Sequence, residues 1–202
     1  MYLELSKKSN IIIGAKIHSF HKTPKSDNSF NYFQLTHKSV TDLGYIDFKD
    51  LPQVYDQTSS EFERYLIQPG DIILLTKGSY IKSGFVDAAD LDNKKVIIPN
   101  SMMIIRCQTI QLAKLIHIYL NTPEGKEKRV RLGGNAPIKS VSKKELEKLL
   151  IPIPPEHLQE QVIELAETNN QAFLDAQKYM EIRYQYTNAQ ILKLLQSNAH
   201  DH

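Results

Sequence analysis

Apolar residues at helical spacing dominate the last quarter of the chain. Residues 156–202 contain no glycine and no proline, and their apolar positions recur every three or four residues up to about residue 196. This pattern predicts one long amphipathic α-helix, roughly 60 Å in length. One compact body cannot cover such a helix, so we expect its stripe to pair with a second helix as a coiled coil. The predicted contact residues are Leu158, Val162, Leu165, Ala172, Phe173, Ala176, Met180 and Ile191. The alternative is that the helix folds back on its own domain.

Shorter apolar runs before residue 151 predict a different architecture. Strands are predicted at 11–17, 31–35, 45–48, 72–76, 85–87, 96–98, 102–106 and 130–132, and helices at 109–120 and 143–149. Ser142 and Glu145 form the capping-box pattern at the start of the last helix. The sequence thus predicts an α+β fold: a domain of mixed strands and short helices over residues 1–150, a proline-rich joint at 151–155, and the long helix at 156–202. The prolines hold the joint extended.

Charge divides the chain in the same way. Residues 1–150 hold 22 Lys and Arg against 16 Asp and Glu, a balance of +6, whereas residues 151–202 hold 3 against 7, a balance of −4. A basic body suits a polyanionic partner, and an acidic tail suits protein contact or solvation. No apolar run approaches the ~20 residues of a membrane span, and the apolar stretch at 11–13 is too short for a signal peptide. We therefore expect a cytoplasmic protein.

The motifs of common enzymes are absent from the sequence. There is no phosphate-binding loop, no dinucleotide fingerprint, no nucleophile elbow and no Asn/Asp-Pro-Pro-aromatic tetrapeptide of adenine methyltransferases. The densest acidic group, at Asp87, Asp90 and Asp92, falls in a predicted polar loop, and no spacing indicates a metal site. Cys107, the one cysteine, follows a buried strand and is interpreted as a packed thiol. A non-catalytic protein is favoured, with a nuclease as an alternative.

Four segments, in order, resemble the Type I restriction–modification specificity subunits. They are QPGDIILL followed by KGS at 68–79, YLNTPEG at 119–125, VSKKELEKLLIPIPP at 141–155 and QEQVI at 159–163. Together they span about half of the chain. The resemblance implies a target-recognition domain that reads one half of a split duplex DNA site. It also implies a helix that sets the gap between half-sites and docks a methyltransferase subunit, with a restriction subunit as a further partner.

The resemblance also implies an arrangement of subunits. Specificity subunits of this family carry two recognition domains and two long antiparallel helices, whereas this sequence has one of each and looks like a half subunit. Two copies could form a homodimer that reads a palindromic split site; pairing with another specificity chain and use in a related Type II system remain open. No cofactor is expected on this chain, because S-adenosylmethionine would bind the methyltransferase subunit. The alternative is a coiled-coil scaffold that binds a methyltransferase without reading bases.

Two basic stretches are the candidate DNA face. The first comprises Lys77, Ser79, Tyr80, Lys82 and Ser83, and the second Lys126, Lys128, Arg129, Arg131, Asn135 and Lys139. Duplex readers need cations for phosphates and polar side chains for base edges. We expect Lys126 and Lys128 to bind phosphate, and Arg129, Arg131 or Asn135 to reach bases. The alternative is that both stretches are solvated surface charge.

Overall fold

The computed structural model describes residues 1–16, 30–56, 63–78, 81–91, 93–134 and 139–197. The chain forms two compact units, Met1–Glu156 and His157–His202. Within the described ranges, no helix is both long enough and apolar enough to cross a membrane. The α+β fold class predicted from the sequence is confirmed.

The first unit contains eleven short strands and four short helices within its described ranges. The strands are β1 (Tyr2–Glu4), β2 (Ser9–Ile13), β3 (Phe30–Gln34), β4 (Gln53–Asp56), β5 (Ile72–Leu75), β6 (Lys77–Gly78), β7 (Ser83–Phe85), β8 (Val96–Ile97), β9 (Met102–Cys107), β10 (Lys139–Ser140) and β11 (Leu150–Pro152). The helices are α1 (Ala88–Leu91), α2 (Ile110–Asn121), α3 (Pro123–Leu132) and α4 (Lys143–Glu147). The second unit is the helix α5 (Glu156–Ser197), whose first residue belongs to the first unit.

A four-stranded antiparallel sheet in the order β2-β9-β5-β7 forms the centre of the first unit. Ile73 pairs with Ile104 and Leu75 with Met102 in the β5–β9 ladder, and all four side chains enter the main core. Every residue of β5 is buried, so its apolar run does not alternate with polar residues. Each such aliphatic side chain contributes roughly 1.5–3 kcal/mol by burial, which explains why the sheet is centred on this run.

A second sheet and two strand pairs complete the first unit. The sheet has the order β4-β3-β8, with β3 antiparallel to β4 and parallel to β8, and the separate pairs are β1–β11 and β6–β10. The strand predicted at 45–48 is wrong, because Tyr45 and Ile46 make only isolated bridges. β2 ends at Ile13, where a Cβ on Gly14 would lie 2.2 Å from the carbonyl oxygen of Pro99. The backbones approach so closely there that only glycine fits.

Residues 130–132, predicted as a strand, belong instead to α3. Thr122 caps this helix by accepting a hydrogen bond from the backbone N–H of Gly125 at 3.1 Å, and Pro123 occupies its first turn. Glu124 pairs with Lys128 four residues later, and Glu127 with Arg131. These i,i+4 pairs support a helix, and they outweigh the short alternation of apolar and polar residues on which the prediction rested.

The proline-rich segment begins inside the first unit. The predicted boundary between residues 150 and 151 falls within β11, which pairs antiparallel with β1: Leu3 lies opposite Ile151. The backbone N–H of Ile153 donates to the carbonyl oxygen of Met1 at 2.8 Å, and the Met1 ammonium donates to the Ile153 carbonyl at 3.2 Å. Met1 and Ile153, close to the two ends of this unit, are therefore neighbours.

α5 runs without interruption over 42 residues, as the sequence predicts. At 1.5 Å per residue its length is about 60 Å. Most of its large apolar side chains remain exposed: Leu165 is 73% exposed, Met180 66% and Ile191 50%. Phe173, Ala176, Met180 and Tyr184 line one shared groove along the helix. Pairing of this stripe with a second helix stays a prediction.

Candidate functional site

The pairing of β6 with β10 brings the two basic stretches together. Lys77 lies opposite Ser140, and Gly78 lies opposite Lys139. The backbone N–H of Val141 donates to the carbonyl oxygen of Thr76 at 2.9 Å and extends this connection. Residues more than 60 positions apart in the sequence thus form one small ribbon, with the exposed Lys77 on its first strand.

Helix α3 carries the exposed part of the second stretch. Lys126 and Arg131 are exposed, and Arg131 pairs with Glu127. Lys128 is partly buried; it pairs with Glu124 at 2.9 Å and lies over the Tyr119 ring at 5.4 Å. Hydrogen bonding to Tyr119 and Glu124 raises the pKa of Lys128, so it stays charged. In the described part of the chain, no carboxylate pairs with Lys77 or Lys126.

Arg129 and Ser83 are buried, so their predicted contacts with DNA are wrong. Arg129 is 2% exposed and Ser83 is 1% exposed. Gly125 and Arg129 are one helical turn apart, and both are on the buried side of α3. A Cβ on Gly125 would lie 1.9 Å from the carbonyl oxygen of Tyr119, so the start of α3 packs directly on the end of α2. That packing turns Arg129 inward.

The inward-facing groups form one polar cluster of the buried Arg129 and Ser83, the half-buried His117 and Asn121, and the carbonyl of Ile81. Arg129 donates from Nη1 to the Ile81 carbonyl at 2.6 Å and from Nη2 to Asn121 Oδ1 at 3.4 Å. The Asn121 amide nitrogen donates to Ser83 Oγ at 3.1 Å and lies 3.2 Å from His117 Nδ1. The cluster joins α2 and α3 to the segment that leads into β7.

Burial sets the charge states within this polar cluster. Burial, together with the charge of Arg129, lowers the pKa of His117 to about 4, so the imidazole is neutral at pH 7. Burial also lowers the pKa of Arg129 to about 10, which leaves the guanidinium charged at neutral pH. Arg129 Nε is buried and has no acceptor among the described residues.

The other predicted site residues have different positions. Lys82 is partly buried and forms an ion pair with Asp42 at 2.9 Å. The backbone of Lys139 belongs to β10. Ser79, Tyr80 and Asn135 lie outside the described residues.

Sequence reasoning missed the residues that hold the first basic stretch in place. Asp71, 1% exposed, closes the turn at 68–71 by accepting from the backbone N–H of Gln68 at 2.7 Å, and it binds Arg106 on β9. Asp71 and Asn121 both lie within the segments that carry the family resemblance, which is the signal that marks them.

Cys107 is partly buried at the end of β9. Burial, and to a lesser extent the charge of Asp71, raises the pKa of its thiol to about 12. The thiol is therefore protonated at neutral pH and is a poor nucleophile. Among the residues that the structure describes, no three His, Cys, Asp or Glu side chains are grouped to hold a metal ion.

A comparison with protein-family models finds no match, and neither does a search of curated protein sequences. Solved structures do match. The HsdS subunit from Thermoanaerobacter tengcongensis has a TM-score of 0.53 at 17% identity, covering 88% of this chain and 38% of that one. The Type I restriction–modification S subunit from M. genitalium has a TM-score of 0.56 at 13% identity, covering 92% and 42%.

A third match comes from a study of complex assembly and conformational transition of the Type I restriction–modification system. It has a TM-score of 0.57 at 16% identity and covers 93% of this chain and 43% of that one. The chain therefore spans about two fifths of the length of the structures that it matches. At these identities, the likeness establishes that this chain and the matched structures share a fold.

Proposed function

We propose that this chain, which has the fold of the Type I specificity subunits, directs a restriction–modification system to its DNA. Its first unit reads one half of a split duplex site, and α5 pairs with a second copy of the chain. Methyl transfer and cleavage belong to partner subunits, which supply the S-adenosylmethionine. The observation that carries this proposal is the meeting of the two basic stretches at the β6–β10 ribbon.

The exposed cations of the two basic stretches are suited to the phosphate backbone. Lys77, Lys126 and Arg131 are all exposed, and Lys and Arg that neutralise phosphates release condensed counterions. Such contacts position a protein on duplex DNA without identifying its sequence. We assign base reading to polar residues that follow these cations in the sequence, Ser79, Tyr80, Asn135 and Lys139, which offer the donors and acceptors that base edges require.

The apolar stripe of α5 supports an antiparallel partner of the same sequence. Centred beside Ala176, an antiparallel pair puts Phe173 of one copy opposite Met180 of the other, and Asn169 opposite Tyr184. The same register matches Val162 with Ile191 and Leu158 with Leu195, and it overlaps the helices over their whole described length. A parallel pair would place two Asn169 amides in one layer and two Tyr184 rings in another. The antiparallel pair instead places the Tyr184 hydroxyl of one copy opposite the Asn169 amide of the other, so each amide has a hydrogen-bond partner.

The charges of α5 favour the same orientation. Residues 156–175 contain five carboxylates and no Lys or Arg, whereas residues 176–197 contain three Lys or Arg and one carboxylate. Antiparallel pairing sets the acidic half of one helix beside the basic half of the other, and parallel pairing sets acid beside acid. Most of these charges lie off the stripe, so salt reduces the effect.

Selection of bound sequences from a random duplex library tests the proposed function. The chain is used with and without a candidate partner methyltransferase subunit. Two short inverted half-sites around a gap of constant length are the expected result, because a two-fold protein reads a two-fold site. Salt-sensitive binding without an enriched motif in either condition would overturn base reading, and it would leave the scaffold as the better description.

A further inference from the structure

Four exposed lysines come from two segments that pack together in the first unit. Lys7 and Lys8 lie at the end of a single turn of 3₁₀ helix, whereas Lys144 lies on α4 and Lys148 at its C-terminal cap, one helical turn later. We call these four residues the lysine patch. In the parts of the chain that the structure describes, no carboxylate forms an ion pair with any of them.

Backbone contacts bring the two segments of the lysine patch together. The N–H of Leu5, the first residue of the 3₁₀ turn, donates to the carbonyl oxygen of Leu149 at 3.0 Å. Leu5 and Leu146 are both fully buried, and α4 packs against the turn and against β2. The N–H of Gln108 donates to the Lys8 carbonyl at 3.1 Å, which ties the turn to the end of β9. The lysine patch is therefore carried by backbone that the core holds in place.

The carboxylates nearest to these lysines in the sequence already have other partners. Glu145 belongs to the capping box of α4, and Glu147 pairs with Lys143 at 3.7 Å. Glu4 accepts a hydrogen bond from the Ser6 hydroxyl at 2.8 Å. Like charges held near one another repel, and an anion bound among them relieves that repulsion. The lysine patch is thus suited to an anionic partner with several charges.

Helix α4 connects the lysine patch to the β6–β10 ribbon. It begins two residues after β10, and its other end is bonded to the 3₁₀ turn through Leu149. With its caps, residues 142–148, it is about 10 Å long, which corresponds to about three base pairs of duplex at 3.4 Å per step. The chain then continues through β11 to α5, the helix that we pair with a second copy. Along the chain, the lysine patch therefore lies between the ribbon and that second copy.

We propose that the lysine patch binds the phosphate backbone of the gap, the duplex DNA between the two half-sites. The gap has a constant length but no constant sequence, so its phosphates are the groups that every site offers alike. Lysine contacts with phosphate fix position without reading bases, which is the recognition that such a gap permits. This inference rests on the proposed function and adds to it a second DNA contact, separate from base reading.

The test combines removal of lysines with removal of gap phosphate charges. Dissociation constants are measured over a series of salt concentrations for the selected duplex and for the same duplex with uncharged methylphosphonates throughout the gap. For the unmutated chain, neutralising the gap should weaken binding at least tenfold. The joint variant Lys144→Gln/Lys148→Gln should bind the unmodified duplex at least tenfold more weakly, with a salt slope lower by about two per bound chain. It should lose less than threefold more when the gap is neutralised, because the partners of those phosphates are already gone.

Lys38→Gln/Lys95→Gln is the control with the same loss of charge. Both lysines are exposed, but Lys38 follows β3 and Lys95 precedes β8, in the region of the other sheet. This variant should keep the full tenfold sensitivity to gap neutralisation. An equal sensitivity in Lys144→Gln/Lys148→Gln and in the unmutated chain would overturn the inference, and so would a neutral gap that the unmutated chain binds as tightly as the charged one.

Two further measurements separate the alternatives. If methylphosphonates in the half-sites, and not those in the gap, lost their effect in Lys144→Gln/Lys148→Gln, the lysine patch would lie on a half-site and the inference would be wrong. A loss of dimer mass in sedimentation analysis of the same variant would overturn it in favour of a protein partner. If the unmutated chain bound the selected duplex and one with scrambled half-sites equally well, the proposed function itself would fail and the inference with it. That result is distinct from a chain that prefers its half-sites but ignores the charge of the gap.

Discussion

Arg106 donates hydrogen bonds to both carboxylate oxygens of Asp71, from Nε at 2.8 Å and from Nη2 at 2.7 Å. Nη2 also donates to the carbonyl oxygen of Leu66 at 2.9 Å. The pair connects the turn at 68–71 to the central strand β9, and the hydrogen bonds that Arg106 donates to Asp71 raise the pKa of Arg106.

Asp71→Ala should therefore destabilise the first unit strongly. The substitution leaves Arg106 without its partner and the Gln68 N–H without its acceptor, at a cost of about 3 kcal/mol or more in the free energy of unfolding. Urea unfolding followed by circular dichroism measures the change. Asp42→Ala is the matched control, since Asp42 is 84% exposed and pairs with Lys82; it should cost ~1 kcal/mol or less. Equal effects of the two substitutions would contradict this account.

His117 should make stability depend on pH below neutrality. Its pKa is about 4 in the folded protein and near 6.5 when unfolded, so the unfolded chain binds the proton first as the pH falls. Stability should therefore decline from pH 6.5 to pH 4, by about 3 kcal/mol at most. His117→Gln removes the titrating group, so the difference in unfolding free energy between pH 7 and pH 4.5 should shrink. An identical pH dependence in protein and variant would exclude His117 as the cause.

Removal of a single exposed lysine from the two basic stretches should weaken DNA binding without changing sequence preference. Lys126→Ala and Lys77→Ala should each reduce the slope of log affinity against log salt concentration by about one. Each should also weaken binding roughly fivefold at physiological salt. Fluorescence anisotropy against salt concentration measures both quantities. Lys95→Ala is the control: Lys95 is also exposed, but it precedes β8 in the other sheet. A similar loss in all three variants would indicate a diffuse charge effect instead of a defined face.

Charged residues in the stripe of α5 should give monomers. Leu165 and Phe173 are exposed on the stripe, and their joint replacement by Glu would bury carboxylates between the paired helices. Sedimentation analysis gives the mass. Ile182→Glu is the control, because Ile182 is 54% exposed but lies nine residues, or about two and a half helical turns, from Phe173. A monomer before any substitution would point to a different partner, such as a second specificity chain.

Disulfide cross-linking should reveal the orientation of the two helices. In a Cys107→Ser background, Ala176→Cys should cross-link to its own copy, because Ala176 lies beside the proposed two-fold axis. Leu158→Cys should not cross-link to itself but should do so with Leu195→Cys in a mixture of the two variants. Self-cross-linking at residue 158 would indicate parallel helices.

The sequence predicted the long helix and the central strands well because each follows a simple local pattern, helical spacing in α5 and a short aliphatic run in β5. About twelve turns without glycine or proline leave α5 no competing structure, and the aliphatic run of β5 is buried in the middle of a sheet. The start of α4 was equally predictable, since the Ser142–Glu145 capping box depends on residues three apart. Local rules suffice for such elements.

Long-range pairing was not predictable from the same patterns. The β6 and β10 strands have two residues each, too few to show a period, and they pair across more than 60 positions of sequence. The inward turn of Arg129 follows from the close approach of Gly125 to Tyr119, which the count of basic residues does not report. Position and charge on their own therefore selected Arg129 as a DNA ligand, whereas packing buries its side chain.

The pairing of β1 with β11 has a consequence for how the protein is made. Its two strands are separated by almost 150 residues, so β1 leaves the ribosome long before its partner. At ordinary rates of synthesis that interval is on the order of ten seconds. During this time the first strand is an open edge, available to other chains. Completion of the first unit thus waits for the residues that immediately precede α5, and a nascent chain closes this fold only when its long helix is about to emerge.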